Sequence, residues 1–209
     1  MRAIAITALW VAIGTEIVWI MARVVRQDAG LGTILYAACV TLTLAGLAAS
    51  RGRFRWAVTV VRMFIGVAFL GSVGDRFGLF GSPGAPGVSW GNFTNFAIYT
   101  GQMNSFLPNG MIPALAAAES VIEGVLGLGM LFGAWLRVTV WASSVVLFLF
   151  GIAMTISLGV SSQFPYAVFV LATGGWLLAS VDASFISADA LFARARRPPS
   201  HWSARRMRE

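Results

Sequence analysis

The chain has 209 residues, of which 58% are hydrophobic and 11% charged, with a mean hydropathy of +0.80. An average soluble domain carries about 25% charged residues, so a water-soluble globule of this composition lacks the polar surface to cover itself. All fifteen basic residues are arginine, and they lie between apolar segments and in the tail, not in one basic module, which excludes a nucleic-acid partner. The lone Cys39 forms no dithiol centre within the chain, and the lone His201 rules out paired-histidine haem ligation, so no metal site is expected.

Six stretches approach the roughly 20 apolar residues that a crossing requires. In chain order they are 3–21, 31–50, 56–75, 111–135, 138–160 and 166–181, the last being short. Arg2 followed by an apolar run resembles the start of a signal peptide, but the run resumes after Glu16 without a small-residue cleavage site. An uncleaved first helix is therefore expected. With six crossings, eleven arginines share the side of both termini, while Arg23, Arg26 and Arg76 lie opposite. The excess of arginine marks the cytoplasmic side, so both termini are expected there. The expected fold is all-α: a polytopic membrane bundle of six transmembrane helices with an outer interfacial helix.

The loop 77–110 between the third and fourth stretches has no charge after Arg76. Its first half is rich in Gly and Pro and predicts turns. Its second half places Trp90, Phe93, Phe96, Tyr99, Met103 and Phe106 at intervals of three or four, the face of one helix. Asn92, Asn95, Thr100, Gln102 and Asn104 fall on the remaining arc. Such a helix suits the outer membrane interface or the mouth of the bundle. Asp75, Arg76, Trp90, Asn92 and Tyr99 are the candidates at that mouth, with Asp75 and Arg76 expected chiefly as interfacial anchors. Asp182 and Asp189 carry no site signal, and the tail from 193 onward, Arg-rich with Pro and Ser, is expected to be disordered or to lie on anionic lipid.

Ionisable residues inside the apolar stretches are few: Glu16, Arg62, Glu119 and Glu123. A charge at mid-bilayer costs about 2.5–3.5 kcal/mol on insertion scales, so such groups face the bundle and find partners. Glu119 and Glu123 stand one turn apart on one face, with Ala116, Gly127 and Met130 along the same stripe. Gly129-x-x-x-Gly133 offers a further close helix contact. Counting residues from the span ends brings Arg62 within reach of Glu123, and an Arg62–Glu123 ion pair is the expectation. Arg62, Glu119 and Glu123 thus form the candidate intramembrane polar cluster, as a structural clasp or as a proton- or redox-coupled site.

From "VRMFIGVAFLGSVGDRFGLFG" to "FPYAVFVLATGGWLLA" the chain resembles the DoxX family of small membrane proteins. The similar elements are Arg62 with Gly66, the Asp-Arg-Phe-Gly run ending at Gly78, "SPGAPGVSWGNFTNFAIYT" and "NSFLP". The spacing of Glu123, Gly127, Gly133 and Arg137 also matches the family's pattern. The resemblance covers roughly residues 58–182 and implies a four-helix membrane core, 56–183, in a bacterial inner membrane. It leaves residues 1–55 as an added N-terminal helix pair and 184–209 as a basic cytoplasmic tail. Glu119 departs from the family, whose usual acid corresponds to Glu123 alone.

The family takes its name from a subunit linked to a thiosulfate:quinone oxidoreductase, and its relatives are linked to membrane redox complexes. The resemblance therefore implies a membrane subunit or accessory factor of a quinone-linked redox system. The chain has no self-contained catalytic motif, so any such chemistry requires a quinone or a soluble or membrane redox partner protein, besides membrane lipid. The alternatives are a small-solute or proton carrier that uses the Arg/Glu cluster, and a ligand-free membrane scaffold.

Overall fold

The computed structural model describes residues 1–195. The expected tail continues through 196–209, which lie outside the described residues. Helices α1 (Arg2–Arg26), α2 (Leu31–Ala49), α3 (Arg55–Arg76), α5 (Ile112–Phe132) and α6 (Leu136–Leu158) build the bundle. Between α3 and α5 lies the short α4 (Phe93–Met103), and after α6 come α7 (Val168–Ala179) and α8 (Ala188–Ala195). Among the described residues there is no strand.

The long helices follow from their side chains. Helix α1 buries Ala5, Leu9, Ala12, Ile13, Glu16 and Trp19, one stripe at helical spacing. Its opposite face exposes Val11, Val18 and Val25. A helix apolar on its outward face as well as its inward one belongs in lipid. Helices α1, α2, α3 and α6, and α5 with its leading 3₁₀ turn Asn109–Met111, are long and apolar enough to cross a membrane. The protein is thus a helical membrane bundle with five candidate spanning helices.

The sixth stretch behaves differently from the expected 166–181. Helix α7 has 12 residues, about 18 Å at 1.5 Å per residue, against a hydrocarbon core of about 30 Å. Pro165 sits in a 3₁₀ segment, Val160–Tyr166, and Ala167 then adopts φ 49°, so a regular helix starts only at Val168. Helix α7 buries eight of its residues and packs against α1, α2 and α6. It is a central strut more than a lipid-facing wall, and it joins the N-terminal pair to the rest.

Helices α3 and α5 cross where Gly66 meets Gly127. A methyl group on Gly66 would lie 2.9 Å from both the Gly127 carbonyl oxygen and the Leu131 amide nitrogen. Only small residues permit that approach, as the stripe on α5 predicts. Of the second glycine pair, Gly129 makes the expected close contact, against the Thr139 side chain of α6, whereas Gly133, at φ 71°, ends α5. The expected stretch 111–135 is accordingly cut at Phe132.

One end of the bundle gathers the N-terminus of α3, the α5–α6 turn and residues 182–189. Thr59 Oγ1 donates to the Phe185 carbonyl at 2.9 Å, and Asp189 accepts from the Trp135 and Leu136 amides at 2.9 and 2.8 Å. Asp189, which shows no site signal in the sequence, caps the start of α6. Ser187 is buried, so the segment after 183 closes this end before α8 begins, where the sequence suggests only a tail. The opposite end carries the α1–α2 loop, α4 and the 3₁₀ turns.

Candidate functional site

The end of the bundle that carries the α1–α2 loop and α4 holds a cavity of about 140 Å³. Its walls come from Ile65, Ala68 and Phe69 of α3, Leu147, Phe150 and Met154 of α6, and Val168 and Leu171 of α7. Tyr36 and Tyr166 flank it, and Trp90, Phe96, Tyr99 and Met103 roof it. Its polar wall is made by Ser72, Arg76, Glu119 and Glu123.

The register of α3 on α5 decides which charges meet. With Gly66 fixed beside Gly127 and Leu131, the last turn of α3 faces the middle of α5. Arg76 then turns inward, and its Nη2 donates to Glu123 Oε2 at 2.6 Å. The same nitrogen donates to Ser72 Oγ at 3.1 Å, while Nη1 donates to Ser120 Oγ at 3.0 Å. The guanidinium carbon also lies 3.6 Å from the Phe96 ring centroid and 5.5 Å from that of Trp90. Two serines, a carboxylate and two aromatic faces thus replace the water lost by the two terminal nitrogens, while Nε stays buried without a partner. Arg76 and Glu123 are both buried.

Arg62 does not join them. It lies level with Gly133, ten residues from Glu123 and so about 15 Å along α5. Its Nη2 donates to the Ile186 carbonyl at 2.9 Å and Nη1 to the Ala183 carbonyl at 3.5 Å, at the end that carries the α5–α6 turn. The expected Arg62–Glu123 pair is therefore replaced by Arg76–Glu123. Counting from span ends misplaces the register because the glycine crossing, not the span midpoints, sets it.

Glu119 and Glu123 do share one wall, as their spacing predicts. Glu119 is half-buried, and its Oε2 accepts from Thr100 Oγ1 on α4 at 3.2 Å. Thr100, which the spacing puts on the polar arc of the lid helix, is fully buried and ties the lid to α5.

The mouth candidates divide. Asp75 accepts from the Ser89 and Trp90 amides at 2.9 Å each, so its contact is with the loop and not with the membrane interface. That grip holds Trp90 over Arg76. The loop also needs Gly91, at φ 67°, where a side chain would strike Pro83 at 2.5 Å. Tyr99 lines the cavity, and burial pushes its phenol above the ordinary tyrosine value, keeping it a neutral O–H. Asn92 does not line it; its Oδ1 accepts from the Asn95 amide at 2.8 Å and caps α4. Phe106, on the expected aromatic face, lies outside α4 and is exposed.

Ser72, Ser120, Tyr36 and Tyr166 were not singled out by the sequence. Ser72 and Arg76 stand four apart on α3, a spacing that carries the signal once Arg76 is known to face inward. Among the described residues no group of three or more His, Cys, Asp or Glu side chains forms a metal cluster. The arrangement offers a ring-sized apolar slot closed by a paired arginine and by a second carboxyl free of ion pairing. No family model, no curated protein and no solved structure matches the chain.

Proposed function

We propose that the chain is a DoxX-type bacterial inner-membrane protein that holds a quinone head group in this cavity. In this reading it serves as a membrane subunit or accessory factor of a redox system. The supporting observation is the cavity itself: aliphatic and aromatic walls, an aromatic lid and one polar wall made by Arg76, Glu119 and Glu123. At about 140 Å³ it is close to the roughly 150 Å³ cavity that accepts a benzene ring. An uncharged ring with carbonyl oxygens suits such a slot, its carbonyls facing the polar wall. Helix α7 together with the 3₁₀ segment before it completes a sixth crossing, and both termini lie on the arginine-rich cytoplasmic side.

A second reading has its own observation. Two carboxyls face a single guanidinium, so Glu119 is left to take up or release a proton. A proton or small-solute carrier follows from that arrangement.

The test is purification of the full chain in mild detergent, with mass spectrometry of the extracted lipids. Quinone retained at a level comparable to the protein, and depleted in Phe96→Ala, supports the first reading. Absence of quinone, together with failure to bind an added short-chain quinone, overturns it. Proton uptake into liposomes that disappears in Glu119→Gln selects the carrier.

A further inference from the structure

A second buried carboxyl lies outside the resembling core, in the N-terminal pair. Glu16 is 1% exposed and stands two residues beyond the middle of α1, about 3 Å off centre. It makes no ion pair among the described residues, and its Oε1 has no hydrogen-bond partner. Two other buried polar atoms in this region are unpartnered: Trp19 Nε1, one turn along the same face of α1, and Gln163 Oε1. The Trp19 ring stacks on Phe164 at 5.8 Å, which brings the segment containing Gln163 against that face.

Among the described residues nothing neutralises a bare carboxylate in this position. Helix α7 has no ionisable side chain, α2 supplies only Tyr36 and Cys39, and the 3₁₀ segment supplies only Tyr166. On α1 the nearest cation on the same face is Arg23, seven residues and about 10 Å away. Arg23 is already engaged, with Asp28 at 2.7 Å and with the Trp19 ring at 5.5 Å. Burying an unpaired charge costs far more than burying a neutral carboxyl, which needs only ordinary hydrogen bonds. A protonated Glu16 also brings a donor O–H to a region where Gln163 offers an unused acceptor.

We propose that Glu16 is a proton-binding site separate from the Arg76 cavity, loaded from the end of the bundle that carries the α1–α2 loop. The strip Glu16, Trp19 and Arg23 supplies the direction. It runs from mid-helix to the partly exposed Arg23–Asp28 pair at that surface. The bound species is a proton, because a metal cation in the same place demands several oxygen ligands and an ionised carboxylate.

The full chain in lipid bilayers is treated with dicyclohexylcarbodiimide, a hydrophobic reagent that modifies protonated carboxyls in membranes. Trypsin then releases residues 3–23, in which Glu16 is the sole acidic side chain. Labelling of that peptide at neutral pH, declining as the pH is raised, is the expected result. An unlabelled peptide, or labelling suppressed by added sodium at fixed pH, overturns the proposal. Infrared spectroscopy gives a second measurement: a protonated carboxyl band present in the wild type and absent from a folded Glu16→Gln. A wild-type spectrum whose protonated band is unchanged in Glu16→Gln overturns it as well.

Discussion

Arg76 and Glu123 are joined at 2.6 Å between the end of α3 and the middle of α5, both nearly devoid of exposed side-chain surface. Removing one partner of such a buried pair strands the other, at a cost of about 3–5 kcal/mol, whereas replacing both by apolar residues is often neutral. Arg76→Leu should therefore lower the melting temperature sharply in detergent. Arg76→Leu combined with Glu123→Leu should recover most of the loss. A double variant as unstable as Arg76→Leu alone would show that Ser72, Ser120 and the aromatic faces matter more than the pair.

That pair also shows what a sequence conveys about such a bundle. Apolar runs and helical stripes locate α1, α2, α3, α5 and α6, because lipid and core both select at the level of single side chains. The aromatic spacing up to Met103 likewise marks the short helix α4, while leaving open whether it lies at the membrane interface or over the mouth of the bundle. Register between helices is a different matter, since it depends on one close approach, Gly66 on Gly127, that no local pattern measures. Misjudging it by a few turns exchanges Arg76 for Arg62. The length of α7 is obscured for a similar reason: composition stays apolar through Tyr166, while Pro165 and the backbone of Ala167 delay the helix.

Arg62 fastens the end of the bundle that carries the α5–α6 turn by donating to the carbonyls of Ala183 and Ile186. Hydrogen bonds from a charged group contribute about 1.5–3 kcal/mol, so Arg62→Leu should destabilise by that order. Trypsin should also cut faster at Arg194 as the segment before α8 loosens. The variant should gain nothing from Glu123→Leu, because effects at sites more than about 7–10 Å apart add independently. Rescue by Glu123→Leu would place the two side chains together after all.

Gly66→Ala should be costly out of proportion to one methyl group. The new carbon meets backbone atoms of Gly127 and Leu131 at 2.9 Å, and those cannot rotate away. Overpacking of this kind costs about 1–3 kcal/mol. Gly124, on the facing helix α5, has nothing within 4 Å of its missing side chain. Gly124→Ala should be neutral or stabilising by about 0.5–1 kcal/mol through the backbone entropy it removes. Paired thermal melts of the two variants check the contrast.

Asp75→Ala should free the loop without unfolding the helices. Hydrogen exchange at the Ser89 and Trp90 amides, both bonded to Asp75 Oδ2, should accelerate while that of α5 stays slow. If the cavity holds a ring, its affinity should fall too, since Trp90 no longer lies fixed above Arg76. Unchanged exchange at both amides would show that Gly91 and the neighbouring turns hold the loop unaided.

Asp182 sets the direction of one pH effect. It accepts from the Ser184 hydroxyl at 2.5 Å and the Ser184 amide at 3.0 Å, and Arg55 lies 3.6 Å away. The serine hydroxyl, followed by the amide and then Arg55, holds this carboxyl below its ordinary range. A carboxyl lowered in the folded state stabilises the protein above its unfolded value, about 3.9, and loses that contribution as the pH falls through the folded value. Asp182 is 65% exposed, so the contribution is no more than about 1 kcal/mol. Ser184→Ala removes the strongest of the three influences. The wild type should therefore be slightly more stable than Ser184→Ala at neutral pH, and the gap should close in acid. Melting curves of both proteins from neutral to acidic pH give the measurement, and a gap that widens in acid would assign the stabilisation to another group.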